Sequence, residues 1–149
     1  MPAVGGSDDL QRFVTAQQSC YDTIRAELRR GRKQSHWIWF IFPQLTGLGF
    51  SPNATHFGIR SRAGARNYLS HPVLGARLRE CVRLLLAVPA GRTIESILGP
   101  VDALKVRSSM TLFAEIAPDD ESRTDFQEVL DRFYGGAPDE RTLEILKRL

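Results

Sequence analysis

Apolar residues recur at three- and four-residue steps along most of this chain, and no segment alternates cleanly between apolar and polar. That period lines side chains along one stripe of a helix, whereas a half-buried strand needs a period of two. Leu10, Phe13, Val14, Tyr21, Ile24 and Leu28 set the first stripe, with Asp8 or Asp9 to cap its start and Gly31 to stop it. Ser51-Pro52, Ser61, Pro72, Thr93, Pro100 and Pro138-Asp139 mark later helix starts, and Gly135-Gly136 ends the stripe of Phe126, Val129, Leu130 and Phe133. The expectation is an all-α single domain of about seven or eight helices over residues 9–149. Residues 1–8 read as a flexible tail.

Length fits that reading. A domain of 149 residues buries roughly 68–70% of its unfolded surface, enough for one substantial core. With 42% hydrophobic and 25% charged residues, a wholly disordered chain is excluded. No period of about 20–50 residues repeats, so a solenoid is excluded as well.

The run Trp37-Ile38-Trp39-Phe40-Ile41-Phe42 is too uniformly apolar for periodicity to choose between a strand and a buried helix. It lies in a stretch from Gln34 to Ile59 without a charged side chain, counting His as neutral. Pro43, Gln44, Gly47 and Gly49 interrupt that stretch, and a spanning helix needs about 20 apolar residues in a row. No membrane segment is expected. The N-terminus has no basic stretch followed by an apolar run of the secretory kind. Cys20 and Cys81 form neither a CxxC pair nor a metal-like spacing, which reads as two reduced thiols in a cytoplasmic protein. No metal site and no cofactor are expected.

Net charge is only +3, but it is unevenly spread. Between Leu28 and Thr93 stand 11 basic residues and one acid, Glu80; from Ser108 to Leu149 stand five basic and ten acidic residues. Seventeen of the 20 cations are arginine, whose planar fork suits two-pronged contacts to phosphate or carboxylate. Two readings stay open: an anionic partner drawn to the basic block, or a C-terminal half that folds back and neutralises it.

Three polar clusters are candidates for chemistry. In Gly31–Gly49, Lys33 and His36 adjoin Trp37 and Trp39, with Gln44 beyond; a stacked base beside a phosphate would want aromatic faces, cations and an amide. The plain alternative is that the tryptophans are core. Lys105, Arg107 and Ser108 form a second cluster, an anion-binding wall or a hydrogen-bonded network between helices, and Arg107 has the strongest case for a ligand contact. Arg60 completes the cationic set. The third segment, Tyr134–Thr142, reads as a helix stop, turn and new cap. GxGxxG, Walker, HExxH and GxSxG motifs are absent.

GRKQSHWIWFIFPQLTGLG, FGIRS, HPVLGARLREC, LKVRSSMTLFAE and FYGGAPDERTLEIL together resemble domain-of-unknown-function family 1810. The resemblance runs from about Asp9 to the C-terminus and implies a small, mainly helical bacterial protein. It implies no reaction.

Two functional expectations follow. The first is an aromatic and basic pocket for a phosphate-bearing nucleotide or ADP-ribose-like ligand, with His36 as acid or base if the ligand is hydrolysed. Its ligand-binding residues would be Lys33, Trp37, Trp39, Gln44, Arg60, Lys105, Arg107 and Ser108. The second is a non-catalytic module that binds nucleic acid or an acidic protein through an arginine-rich face.

Overall fold

Half of the ten helix starts carry a side-chain cap. In a computed structural model that describes residues 9–149, Ser51, Ser61, Thr93, Asp119 and Asp139 each accept a hydrogen bond from the backbone N–H three residues on. Asp9 Oδ1 accepts from the Gln11 N–H at 2.9 Å. Each such bond satisfies a donor that the first helical turn leaves open. Residues 1–8, read as a flexible tail, lie outside the described residues.

The chain is all-α, with ten helices among the described residues: α1 (Gln11–Gln18), α2 (Tyr21–Arg30), α3 (Ile38–Ile41), α4 (Pro52–His56), α5 (Arg62–Ser70), α6 (Leu74–Leu86), α7 (Ile94–Leu98), α8 (Pro100–Ile116), α9 (Asp120–Tyr134) and α10 (Glu140–Arg148). Ten exceeds the seven or eight expected, and two of the helices arise for separate reasons. The first stripe is broken at Cys20, whose backbone (φ −130°, ψ 3°) leaves the helical region. That break lets α1 pack on α3 while α2 packs on α6. The aromatic run, undecided from sequence, forms the four-residue α3. No strand is present among the described residues; a lone parallel bridge pairs Leu45 with Ile59.

Helix α8 is the central element and packs on α3, α5, α7, α9 and α10. From Ser108 to Ala114 it carries no charge, and all seven residues are buried. A helix without a polar face must be surrounded by others. A chain of aromatic rings crosses the core beside it: Phe13 meets Tyr68 edge-on at 5.0 Å, Tyr68 meets Phe113 at 5.6 Å, and Phe113 meets Phe126 at 5.7 Å.

Gly31 ends α2 in the left-handed region (φ 68°) and turns the chain into the aromatic run. Glu27, buried to 2% exposure, fixes that turn. Its carboxylate accepts from the Gln34 N–H (2.7 Å), the Ser35 N–H (2.9 Å), the Ser35 hydroxyl (2.6 Å) and the Trp37 indole Nε1–H (2.9 Å). Burial pushes the Glu27 carboxyl up, but these four hydrogen bonds outweigh it and hold its pKa at about 2.

Candidate functional site

Gln44, Lys105 and Ser108, expected from two separate stretches of sequence, line one surface cleft of about 360 Å³. The parallel bridge holds Gln44 in place, its carbonyl accepting from the Ile59 N–H at 3.0 Å. Lys105 and Ser108 project together because they are three residues apart on α8. The N-terminus of α10 adds Asp139 and Arg141 to the cleft. Its rim carries Phe50, Val101 and Leu104, which are 83%, 63% and 64% exposed.

The polar groups here are unequally occupied. Asp139 Oδ2 accepts from the Thr142 N–H (3.0 Å), the Thr142 hydroxyl (2.5 Å) and the Ser108 hydroxyl (3.3 Å), so this carboxylate ties α8 to α10. Lys105 Nζ stands 3.8 Å from Asp102 Oδ1 and 5.9 Å from the centre of the Trp39 ring. Arg141 reaches the Gly47 carbonyl at 3.4 Å, the long end of a hydrogen bond. Gln44 is 8% exposed as a whole residue, and its side-chain amide bonds no described residue and faces the open cleft. An amide open to the cleft can exchange water for the donor and acceptor of a ligand.

The other expected residues lie elsewhere. Trp37 is 1% exposed, in the core, with its N–H committed to Glu27, so it offers no face to a ligand. Lys33 is also enclosed: its ammonium pairs with Asp102 at 2.9 Å, bonds the Ser35 carbonyl and sits 5.1 Å over the Trp37 ring. Trp39 is half-buried beside Lys105, with its indole N–H buried and unpaired. His36 is exposed and does not line the cleft. Arg107 donates to the Ala137 carbonyl at 3.0 Å and lies 5.9 Å over Tyr134, clamping the 135–139 turn. Arg60 lines a separate depression of about 630 Å³ with His56 and Arg12, and Phe50 borders both.

Sequence reading missed Asp139, Arg141 and the apolar rim. Asp139 was visible as a helix cap, and that role hid its second position on a cleft wall. For Phe50, Val101 and Leu104 the signal would be apolar residues falling off the buried stripe, which requires knowing the stripe first.

Much of the basic block has a structural use. Arg92 donates to the Gly31 carbonyl (2.7 Å), Arg62 to the Leu146 carbonyl (2.9 Å), and Arg132, from the acidic half, to the carbonyls of Leu86 (2.6 Å), Val88 (2.5 Å) and Pro89 (3.0 Å). These guanidinium forks satisfy acceptors left open at helix ends and turns. Among the described residues, the ion pair Arg83–Asp125 (3.3 Å) joins the basic and acidic blocks. The two thiols are free; burial pushes Cys81 up to about 12 and raises Cys20, so neither is a ready nucleophile. No group of three His, Cys, Asp or Glu side chains able to hold a metal occurs among the described residues, and none of their helices is long and apolar enough to cross a membrane.

Fold and site together define a small all-helical domain with a cation-bearing surface cleft. The chain belongs to the family described as Protein of unknown function (DUF1810), whose family model matches residues 7–146. Among solved structures it is similar to the crystal structure of the conserved hypothetical protein Rv1873 from Mycobacterium tuberculosis. The two are 50% identical with a TM-score of 0.89, over 93% of this chain and 96% of that one. No curated protein matches the chain.

Proposed function

We propose that the cleft between residues 44–54, α8 and the start of α10 binds a small phosphate-bearing ligand of the nucleotide or ADP-ribose type. One observation carries the reading: the Gln44 amide, which bonds no described residue, shares a cleft wall with two lightly engaged cations, Lys105 and Arg141. An amide presents both a donor and an acceptor to a base edge or ribose, while the cations neutralise phosphate. The exposed Phe50 ring at the rim supplies a stacking face. A volume of about 360 Å³ is within the range of small-molecule sites. Asp139 repels phosphate from the α10 side and steers it toward Lys105. His36 lies outside this cleft, so the proposal is binding, without hydrolysis by that residue.

A thermal-shift and calorimetry series with AMP, ATP and ADP-ribose tests it. A ligand at 100 times its Kd stabilises by about 2.7 kcal/mol, which raises Tm by several degrees in a domain of this size. Lys105→Ala and Gln44→Ala should each weaken binding about tenfold. If no nucleotide, ADP-ribose included, raises Tm at millimolar concentration, the reading is wrong.

A second reading, a non-catalytic module for nucleic acid or an acidic protein, is favoured by Arg29, Arg30 and Arg32, exposed together at the end of α2. It requires single-stranded nucleic acid or an acidic peptide to bind with an affinity that falls steeply as salt rises.

A further inference from the structure

We infer that a second cleft, at the corner between α5 and α6, is a binding site for a small organic oxyanion: a carboxylate or phosphate attached to an apolar body. This cleft encloses about 430 Å³ and shares no lining residue with the first. Two helices build it in the same way. Arg66 and Leu69 are three apart on α5, and Ala76 and Arg79 are three apart on α6, so each helix turns one arginine and one apolar residue into the shared space. Pro72 and Pro118 extend the apolar walls.

The lining of this cleft carries cations and no acid. Neither Arg66 nor Arg79 has a hydrogen bond or ion pair with a described residue. Two acids adjoin the lining in sequence: Glu80 accepts from the Tyr21 hydroxyl and Arg25, and Asp119, which feels the Arg79 charge, accepts from the Ser122 N–H at 2.8 Å. Glu121 and Asp125 border Arg79 on its other side. Arg66 and Arg79 differ in their lack of bonds from Arg62, Arg92, Arg107 and Arg132, which clamp carbonyls.

His71 supplies a third donor. Its Nδ1 accepts from the backbone N–H groups of Val73 (3.1 Å) and Leu74 (3.2 Å), so that nitrogen carries no proton. With Nδ1 accepting, the ring presents Nε2–H as a donor within a residue that lines the cleft. Two guanidinium forks and an imidazole N–H match the oxygens of a carboxylate or phosphate. The leucine, alanine and proline walls add burial for an aryl or short alkyl group, which a bare inorganic ion could not use.

Titration of the ¹⁵N-labelled protein with phenyl phosphate and with benzoate, followed by amide chemical shifts, tests the inference. Inorganic phosphate and phenol serve as controls for the charge alone and the ring alone. At least one aryl anion should saturate shifts confined to residues 66–79 and 118, and the tighter of the two identifies the headgroup. Both controls should bind at least about tenfold more weakly, and Arg66→Gln and Arg79→Gln should each cost at least about fivefold in Kd. Lys105→Ala should leave this binding unchanged, which separates the site from the nucleotide cleft. The inference is overturned by absence of shifts up to about 10 mM, by shifts that persist in both arginine variants, or by a control that binds as well as the aryl anions.

Discussion

The indole Nε1 of Trp37 donates a 2.9 Å hydrogen bond to the carboxylate of Glu27, and both residues are sealed from solvent. Ten residues of chain separate them, and everything between is shaped by that bond and its three companions. Glu27 replaces the water it loses with the two backbone N–H groups of Gln34 and Ser35, the Ser35 hydroxyl and the indole. An ionised buried carboxylate is tolerated only when satisfied in this way. The turn that launches the aromatic run is therefore organised around a negative charge, with Lys33 held nearby by Asp102 and the Trp37 face.

That charge makes stability depend on pH. The Glu27 pKa is lowered on folding from 4.5 to about 2, a difference of about 3 kcal/mol. Because the folded value is the lower one, the stabilisation is complete above about pH 4.5 and is lost as pH falls towards 2. Glu27→Gln puts an NH₂ group where four donors converge and should destabilise by about 2–4 kcal/mol at pH 7. Urea unfolding of both proteins at pH 7 and pH 3 measures this. The gap between them should shrink at the lower pH; a gap independent of pH would mean the carboxylate charge is not what the turn needs.

Gly75 limits how closely α5 and α6 meet. A Cβ at this position would overlap the Leu69 carbonyl, a backbone atom that cannot rotate away. Gly75→Ala normally favours a helix by about 1 kcal/mol, yet here overpacking should reverse the sign and cost about 2–3 kcal/mol. A higher urea midpoint in Gly75→Ala would contradict the packing described.

The helices were legible because their signals are local. Ser51-Pro52, Ser61, Thr93 and Asp139 read as starts and serve as starts, each side chain bonding an N–H three residues away. The break at Cys20 was not legible, since neither proline nor glycine marks it and Val14 and Tyr21 are seven residues apart, two full helical turns. It exists because α1 and α2 pack on different partners, which is tertiary information. The site divided in the same way. Gln44, Lys105 and Ser108 share a wall, but polarity alone could not separate Lys105, facing a cleft, from Lys33, locked inside an ion pair. Nor could it separate arginines that clamp carbonyls from those that remain unengaged.

The carbonyl clamps predict that arginine and lysine are not interchangeable in this fold. Arg132 reaches three carbonyls, those of Leu86, Val88 and Pro89, with two nitrogens of one planar fork. A lysine keeps the charge but reaches them from a single nitrogen. Arg132→Lys should therefore cost about 1–2 kcal/mol, nearly as much as Arg132→Ala. Thermal unfolding in low and high salt separates the causes: the loss should be insensitive to salt, whereas a long-range charge effect would fade as salt is added.

Phe50 offers the sharpest separation of stability from binding. At 83% exposure its ring contributes little to the core, so Phe50→Ser should shift stability by no more than about 0.5 kcal/mol. Stacking of a base on an aromatic face is worth about 1–3 kcal/mol, so loss of the ring should weaken nucleotide binding by at least about fivefold. Ribose 5-phosphate, which carries the sugar and phosphate without a base, should bind wild type and Phe50→Ser equally. Calorimetry with AMP and ribose 5-phosphate on both proteins reads all four affinities. Equal losses for the two ligands would place Phe50 in the framework of the cleft; loss for AMP alone would place its ring under the base, beside the Gln44 amide and the Lys105 ammonium.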